Sequence, residues 1–316
     1  MPKLSVIIPV YGVEKYIERC ARSLFNQTYD NIEYLFIDDC TPDHSIEILS
    51  QVLEDYPHRK TQVKIHRMEN NSGQAAVRKW GMIHATGDYM IHCDSDDWVE
   101  PNMYLTMIQN AEKNNADVVV CDYFVSTNLG EDRYVKACHS TEVDDFIENL
   151  LLQRDMWALW NKMFRRSLLS QDILLPEGNM AEDMAICLQL MLKCSQLSYI
   201  SQPLYHYFFN PVSISNNLTT DKILRNFYSV KSNADIVLHC FSKEDKWKTH
   251  TGLLYIRYNT KAHLFPLVHK KNFRLLFKTV YPNLFSKIIF KSKIPLSCKV
   301  KYVFALIGLY PRKINN

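Results

Sequence analysis

The chain has 316 residues, of which 47% are hydrophobic and 22% charged, and these values are ordinary for a soluble globular protein. This length allows one large domain with appendages or two modest domains. No apolar run reaches about 18 residues, which excludes an ordinary membrane-spanning helix. The nine cysteines include no C-x-x-C pair, and the N-terminus lacks a signal-peptide pattern. We therefore expect a cytoplasmic protein with reduced thiols.

Charge is distributed unevenly along the chain. All 34 acidic residues lie at or before Asp245, together with 22 of the 37 lysines and arginines, whereas the remainder carries 15 basic residues and no acid. A basic end of this kind predicts an anionic partner surface, either a membrane or a nucleic acid. Because nothing in the first 245 residues supports nucleic-acid binding, we expect a membrane surface and no nucleic acid.

The first part of the chain alternates strand-like and helix-like segments. Short apolar runs predict five strands, at residues 4–10, 32–37, 63–66, 89–93 and 117–124. Helices are predicted after Gly12, over residues 74–85, from Pro101, and from Thr41-Pro42 with the threonine as the cap. Such alternation is typical of an α/β fold with a mainly parallel sheet flanked by helices.

The pattern becomes largely helical after about residue 140. Helices are predicted over residues 143–154, after Met180, and repeatedly from about Asp221 to the end, where prolines interrupt them. We therefore divide the chain into an α/β domain at residues 1–220 and a helical, basic C-terminal extension at residues 221–316.

Three groups of acidic residues occupy positions typical of a functional site. Asp38-Asp39 and Asp94-Ser95-Asp96-Asp97 each follow a predicted strand, so both should open on the carboxyl edge of the sheet, where parallel sheets bind ligands. Glu182-Asp183 begins a helix that could fold over that edge. Closely spaced carboxylates repel one another, and a divalent cation would relieve the repulsion. The alternatives are a solvated acidic turn and acids that complement a helix dipole.

Several segments resemble successive motifs of the family-2 glycosyltransferases, between about residues 3 and 215. They are VIIPVY at 6–11, SLFNQTY at 23–29, IDDCTPDHS at 37–45, NSGQAAVR at 71–78 and DSDDW at 94–98. The resemblance implies an inverting enzyme with the Rossmann-like GT-A fold. It would move a hexosyl or N-acetylhexosaminyl group from a nucleotide sugar to a hydroxyl of a glycan or lipid-linked acceptor in polysaccharide synthesis. A catalytically impaired sugar-nucleotide-binding or scaffolding protein is the alternative.

The resemblance also implies roles for individual residues on the donor side. The nucleotide would contact Pro9, Val10, Tyr11, Glu14, Asp39, Arg78, Asp94 and Ser95. Asp39 would accept a hydrogen bond from N3 of uracil, which indicates a UDP-sugar, and Asp94 would lie near the ribose. Asp96 would bind Mn²⁺ or Mg²⁺ together with the diphosphate, His206 is a further candidate metal or phosphate contact, and Asp97 is expected to have a supporting role. For Arg78, a position on the helix surface is the alternative.

On the acceptor side, the resemblance implies a general base at Glu182-Asp183, and we choose Asp183 over Glu182. Trp160 would stack on an acceptor sugar, with packing in the core as the alternative. The family usually carries an arginine between the aromatic residues and the serine that follow residue 204, where this chain has Phe208, Phe209 and Asn210. That departure leaves open which residue of this loop meets the diphosphate.

The basic end mixes apolar and cationic positions over residues 285–309, a pattern typical of helices that lie on anionic membranes. We therefore expect a peripheral protein on the inner face of the plasma membrane, beside a lipid-linked acceptor. The alternative is a C-terminal helix packed on the catalytic domain with solvated lysines.

Overall fold

The computed structural model describes residues 1–127, 132–209 and 219–310. Within these residues, nine strands form a single sheet in the order β3-β2-β1-β4-β8-β6-β9-β5, with β7 attached to β6. The strands are β1 (Leu4–Val10), β2 (Ile32–Asp38), β3 (Val63–Arg67), β4 (Tyr89–His92), β5 (Trp98–Val99), β6 (Val118–Ser126), β7 (Arg133–Val135), β8 (Lys162–Arg165) and β9 (Leu197–Phe208).

Helices cover the sheet and form the C-terminal region. In the first part they are α1 (Ile17–Phe25), α2 (Ser45–Glu54), α3 (Gln74–His84), α4 (Met103–Asn114), α5 (Val143–Leu151) and α6 (Glu182–Leu192). They continue as α7 (Thr220–Ser242), α8 (Thr251–Ala262), α9 (Lys271–Thr279), α10 (Leu284–Ile288) and α11 (Leu296–Ile307). Short 3-10 turns lie at Pro57–Gln62, Arg166–Leu168 and Phe265–Leu267.

The predicted α/β fold class is confirmed, and half of the sheet is parallel as expected. Strands β3, β2, β1 and β4 pair in parallel. Every residue of β2 is buried, because helices cover both faces of a sheet of this kind. On α1 the predicted inner positions Ile17, Cys20, Ala21 and Leu24 are all fully buried.

The other half of the sheet is mixed rather than parallel. Strand β8 lies between β4 and β6 and runs antiparallel to both, whereas β6 and β9 are parallel. The prediction of a largely helical chain after residue 140 missed β8 and β9. The four residues of β8 include Lys162 and Arg165 and show no apolar alternation, so only pairing with distant strands reveals them.

The second predicted helix begins later than expected. Its cap was placed at Thr41, but α2 begins at Ser45, and His44 at its N-cap position makes no capping bond with its side chain. Thr41 instead accepts a hydrogen bond from the N–H of Gly12 and donates one to Asp43. These side chains bind the loop after β1, so they are used in tertiary contacts rather than in a local cap.

Buried apolar side chains form two clusters. The larger one fills both sides of the sheet and extends through Phe241 of α7 to Ile256 of α8. The smaller one joins Phe227 to the C-terminal helices and contains Phe277 and Tyr302. The division at residues 220 and 221 stays a prediction. No helix among the described residues is long and apolar enough to cross a membrane.

Candidate active site

Arg78 lies at the centre of the site. Its side chain is 4% exposed, and its NH2 donates to Oδ1 of Asp94 at 2.8 Å. Its NH1 contacts Nδ1 of His92 at 3.1 Å, and its Nε lies 3.5 Å from Oε1 of Glu182. Burial alone would lower the pKa of Arg78, but Asp94 and then Glu182 raise it. Arg78 is thus a buried cation that joins α3, the end of β4 and the start of α6.

A cavity of about 320 Å³ opens beside this arginine. Its lining includes five predicted site residues and the neighbouring Tyr207; the five are Arg78, Asp94, Trp160, Glu182 and Asp183. The structure therefore brings the predicted donor-side residues Arg78 and Asp94 together with the predicted general-base residues Glu182 and Asp183. Arg78 and Glu182 are 104 positions apart in the sequence, so only the fold places them side by side. This cavity is the candidate active site.

The two carboxyl groups at the start of α6 both have raised pKa values. Burial raises the pKa of Glu182 to about 7; Arg78 opposes this shift and Asp183 adds to it. Burial also raises the pKa of Asp183, whose Oδ1 accepts the N–H of Met184. Glu182 is directed toward Arg78, whereas Asp183 has no ion pair among the described residues. A carboxylate with a raised pKa is suited to accept a proton near neutral pH.

The acidic run after β4 divides into cavity and supporting residues. Asp94 lines the cavity, and burial, followed by the charge of Asp94, raises the pKa of Asp96 to about 6. Asp97 is 1% exposed; Oδ1 accepts the N–H of Phe208 and Oδ2 accepts the hydroxyl of Tyr205. Both oxygens of Asp97 thus serve the protein, which agrees with its expected supporting role.

Asp94 and Asp96 fit a divalent cation. Their oxygens are the hard ligands that Mg²⁺ and Mn²⁺ prefer. Burial contributes most to the raised pKa of Asp96, and the charge of Asp94, which a cation would offset, contributes next. Among the described residues no three His, Cys, Asp or Glu side chains converge as a metal site. The remaining ligands would then be diphosphate oxygens and water, as is common for Mg²⁺.

His206, the predicted metal or phosphate contact, is held by polar and aromatic partners. Its Nε2 lies 2.7 Å from Glu100, and its Nδ1 lies 3.1 Å from the hydroxyl of Ser126 and 3.3 Å from Asp132. The ring also stacks on Trp98, with 4.7 Å between centroids. Both ring nitrogens therefore have partners inside the protein, and the role of His206 as a metal or phosphate contact stays a prediction.

The loop after β1 is held by side chains from the segment before α2. Asp43 accepts the N–H of Glu14 at 3.0 Å, and Oε2 of Glu14 accepts the N–H of His44 at 3.3 Å. Hydrogen bonds from Ser45 and Thr41 lower the pKa of Asp43 to about 2, against the effect of burial. Glu14 is exposed, and Tyr11 is 48% exposed at the tip of this loop. Only Tyr11 among these side chains is large and open to a nucleotide base.

The remaining predicted nucleotide contacts are mostly buried. Pro9 is partly buried, Ser95 is 5% exposed, and the side chain of Val10 is fully buried. Val10 therefore packs in the core, and its carbonyl accepts the N–H of Asp39. The predicted place of Val10 beside the nucleotide base would therefore involve its backbone, and it stays a prediction.

Asp39 accepts two backbone hydrogen bonds at the head of α3. Oδ1 binds the N–H of Ser72 at 2.7 Å and Oδ2 binds the N–H of Gly73 at 2.8 Å. An ionised carboxylate has about four acceptor sites, so each oxygen retains capacity for a further donor such as a ring N–H. Asp39 is thus fixed in place by the turn that precedes Arg78.

Trp160 is buried in an aromatic cluster, which favours the core-packing alternative. It is 4% exposed, stacks on Tyr205 at 4.4 Å and on Tyr207 at 5.7 Å, and meets Tyr123 edge-on at 4.8 Å. Trp160 therefore borders the cavity with little of its ring exposed for stacking on a sugar. Phe208 is also buried, and Asn210 of the same predicted loop lies outside the described residues.

Two supporting residues were missed by the sequence analysis. The Tyr205 hydroxyl donates to Asp97 and accepts the N–H of Asp94 at 3.1 Å, which fixes the acidic run. Lys162 is fully buried, and its ammonium donates to the carbonyls of Met156 and Ala158 and to Asn161. The signal in the sequence was its position two residues after Trp160 and directly before the apolar Met163 and Phe164, since a buried ammonium requires buried acceptors.

Comparison with known proteins identifies the family of this chain. The family model described as Glycosyl transferase family 2 matches residues 5–174, which is more than half of the chain. Two Bacillus subtilis proteins are similar: "Uncharacterized glycosyltransferase EpsJ" is 30% identical over 226 residues, and "Putative glycosyltransferase EpsH" is 32% identical over 214 residues. These alignments cover 68% and 65% of this chain, but only 63% and 60% of the respective relatives.

Solved structures show the same fold. The crystal structure of Staphylococcus aureus TarS 1–349 superposes with a TM-score of 0.68 at 20% identity, covering 98% of this chain and 89% of TarS 1–349. Its complex with UDP-GlcNAc gives a TM-score of 0.61 at 19% identity, over 95% of this chain and 91% of that one. At these identities the likeness concerns the fold, and the matched family model carries the assignment. The chain belongs to glycosyltransferase family 2 and has the GT-A architecture.

Proposed function

We propose that this protein transfers a sugar from a UDP-sugar to a hydroxyl group, with inversion at the anomeric carbon. The observation that carries the proposal is the cavity in which Arg78 connects Asp94, on the donor side, to Glu182 and Asp183, on the acceptor side. A binding or scaffolding protein would not need two adjacent carboxyl groups of raised pKa at such a cavity.

A uridine donor is supported by the environment of Asp39. Its oxygens are held by two backbone N–H groups and keep acceptor capacity, which suits the N3–H of uracil. Tyr11, exposed on the neighbouring loop, offers a ring for the base. Two of the similar TarS structures are described as complexes with UDP and with UDP-GlcNAc.

A divalent cation belongs to the proposal, with Asp96 as its main ligand and Asp94 beside it. When bound, Mn²⁺ or Mg²⁺ supplies Lewis-acid stabilisation of the charge that develops on the departing diphosphate. A similar mannosyltransferase from Pyrobaculum calidifontis, with a TM-score of 0.53 and 14% identity, is described in complex with GDP-Man and Mn²⁺. Arg78 adds fixed positive charge near the same region.

Asp183 is the proposed general base. Its carboxylate takes the proton from the acceptor hydroxyl while the acceptor oxygen forms the new bond to the anomeric carbon and the UDP oxygen departs. Attack opposite to the leaving group inverts that carbon. Glu182, held near Arg78, positions the start of α6. Asp183 carries this role better because its carboxyl group has no such ion pair among the described residues.

The transferred group is proposed to be a hexosyl or N-acetylhexosaminyl group, and the acceptor a glycan or lipid-linked sugar in polysaccharide synthesis. Similar proteins bear the names "Poly(ribitol-phosphate) beta-N-acetylglucosaminyltransferase TarS", from Staphylococcus aureus, and "Cholesterol galactosyltransferase", from Borreliella burgdorferi. A lipid-linked acceptor would place this protein peripherally on the inner face of the plasma membrane. The basic C-terminal extension supports that location.

A donor screen tests the proposal. The full chain is incubated with a panel of UDP-, GDP- and TDP-sugars in the presence of manganese, and release of the nucleoside diphosphate is measured. We expect release from one or a few UDP-sugars and strong loss of release in Asp96→Ala. Binding of UDP without release from any donor would favour the alternative, a catalytically impaired sugar-nucleotide-binding protein. Full release in the presence of a chelator would show that the cation takes no part in the mechanism.

A further inference from the structure

The outer face of helix α11 exposes a continuous apolar stripe. Its members lie on one side of the helix and are between 40% and 74% exposed, namely Leu296, Val300, Val303, Phe304 and Ile307. The opposite side packs into the smaller core cluster through Tyr302 and Ala305, which are 1% and 0% exposed. The helix is therefore anchored on one face and apolar on the other.

The stripe is ordered by the helical repeat. At 3.6 residues per turn, its five residues fall within an arc of about 100°. Lys299 and Lys301 occur on either side of that arc, one beyond each edge. A solvent-facing helix would normally carry polar residues on this arc, so the pattern indicates a surface that another phase or molecule covers.

The surroundings of the stripe are cationic. No ion pair within the described ranges 1–127, 132–209 and 219–310 engages Lys287, Lys291, Lys299 or Lys301, and the chain has no acid after Asp245. Phe290, on the turn after α10, is 91% exposed between two of these lysines. Apolar side chains among unpaired lysines complement an anionic lipid surface, because lipids offer both acyl chains and negative headgroups.

The dimensions of the helix decide how it would meet lipid. Its 12 residues span about 18 Å, which is too short for a hydrocarbon core of about 30 Å. Lying flat, the same helix would place its stripe at the boundary of headgroups and acyl chains and its lysines among the headgroups.

We propose that the outer face of α11, together with Phe290, is the surface on which this protein lies flat against an anionic lipid monolayer. The stripe enters the headgroup boundary while Tyr302 keeps the helix fixed to the protein body. This inference deepens the proposed function, since it specifies which face meets the membrane that carries a lipid-linked acceptor.

Vesicle sedimentation of the full chain tests this surface. The vesicles are phosphatidylcholine alone or equimolar phosphatidylcholine and phosphatidylglycerol. We expect strong sedimentation only with phosphatidylglycerol present, and loss of affinity of more than about tenfold in Val300→Glu/Phe304→Glu, because both exposed side chains lose their apolar contact. Lys299→Gln/Lys301→Gln should weaken binding in low salt more than in high salt.

The matched control is Ile65→Glu/Ile83→Glu, which makes the same charge change at two exposed isoleucines, 40% and 57% exposed, outside the C-terminal region. It should bind vesicles with an affinity close to that of the unmodified chain. Equal losses in the two double variants would overturn the proposal, because net charge alone would then explain binding. The proposal would also be overturned if the unmodified chain is a dimer, Val300→Glu/Phe304→Glu is a monomer, and both bind vesicles equally. The stripe would then be covered by a second copy of the chain.

Measuring UDP release from a nucleotide sugar in solution, without vesicles, tests the proposed function separately from the lipid-binding surface. We expect Val300→Glu/Phe304→Glu to retain release while vesicle binding falls. Absence of release in every variant, with vesicle binding as described, would contradict the proposed function alone.

Discussion

At the scale of residues, the site depends on one buried arginine. Removing Arg78 would leave Asp94 and Glu182 close together without the cation that stabilises both. A cation with excellent geometry is needed at such a position, because an unpaired buried charge costs several kcal/mol. Arg78 is therefore expected to organise the cavity as well as to approach the donor. Its buried side chain does not match the alternative of a position on the helix surface.

Asp183→Asn should bind UDP normally but transfer sugar about 10²–10⁴-fold more slowly, because the amide cannot accept the acceptor proton. The measurement is kcat together with the Kd for UDP. The control is Asp172→Asn, which removes an exposed carboxylate paired with Lys193 and should leave both values unchanged. Near-normal transfer by Asp183→Asn would show that another group is the base.

The raised pKa of Glu182, about 7, predicts a pH dependence of transfer. Burial also raises the pKa of Asp183, so both carboxyl groups ionise at a higher pH than ordinary side chains of their kind. Because a general base must be ionised, kcat/KM should rise as the pH increases from 6 to 8. Glu182→Gln removes a neighbouring negative charge and should lower the pKa of Asp183, which moves the rise to lower pH. If the pH profile of kcat/KM is the same in Glu182→Gln as in the unmodified chain, the two carboxyl groups do not influence each other's ionisation.

At the scale of elements, the head of α3 is the junction that assembles the site. Asp39 binds the N–H groups of Ser72 and Gly73, and Oδ1 of Asn179 binds the N–H of Ala75 at 3.0 Å. The donor-side loop and the segment before α6 therefore meet at the first turn of the helix that carries Arg78. Shifts of this turn would change both sides of the cavity together.

Gly73→Ala should disturb this junction. Gly73 has φ +82° and ψ 167°, a conformation that costs other residues about 1–3 kcal/mol, and an added Cβ would lie 2.0 Å from Nδ2 of Asn179. We expect a lower free energy of unfolding and weaker UDP binding. Gly12→Ala is the comparison for stability, because Gly12 also has positive φ but its Cβ would meet nothing within 4 Å. Equal losses of stability would mean that the contact with Asn179 is easily relieved.

At the scale of the whole molecule, the C-terminal helices are tied to the α/β domain. Helix α7 packs on α6, whose start carries the proposed base, and it contributes to both apolar clusters. Glu148 of α5 accepts hydrogen bonds from Lys293 at 2.7 Å and from His250 at 2.9 Å. Burial favours a higher pKa for Glu148, but these two partners lower it. The C-terminal region that carries the surface proposed to meet lipid therefore packs directly on the domain that contains the active site.

Tyr302→Ala should destabilise the C-terminal helices strongly. The ring is 1% exposed and contacts the rings of Phe277 and Phe285, with centroids 5.1 and 5.7 Å away. Loss of a buried aromatic side chain costs about 3–5 kcal/mol. Thermal unfolding measures the effect, and Tyr228→Ala, at a site 55% exposed, should change stability by less than about 0.5 kcal/mol. Similar changes in the two variants would contradict the role of Tyr302.

The sequence by itself determined the parallel half of the sheet, the acidic groups at its carboxyl edge and the basic, acid-free end. These features are local, since an apolar run of seven residues such as β1 predicts a buried strand wherever it lies. The same locality explains why the candidate residues Arg78, Asp94 and Asp183 could be chosen from motifs alone.

Only the tertiary structure decided how those residues are used. The insertion of β8, the ion pair between Arg78 and Glu182, and the partners of His206 all join segments far apart in the chain. From the sequence, Trp160 could be exposed for stacking on a sugar or buried in the core. The structure shows it stacked with Tyr205 and Tyr207. Such contacts depend on packing between elements, which local sequence pattern does not specify.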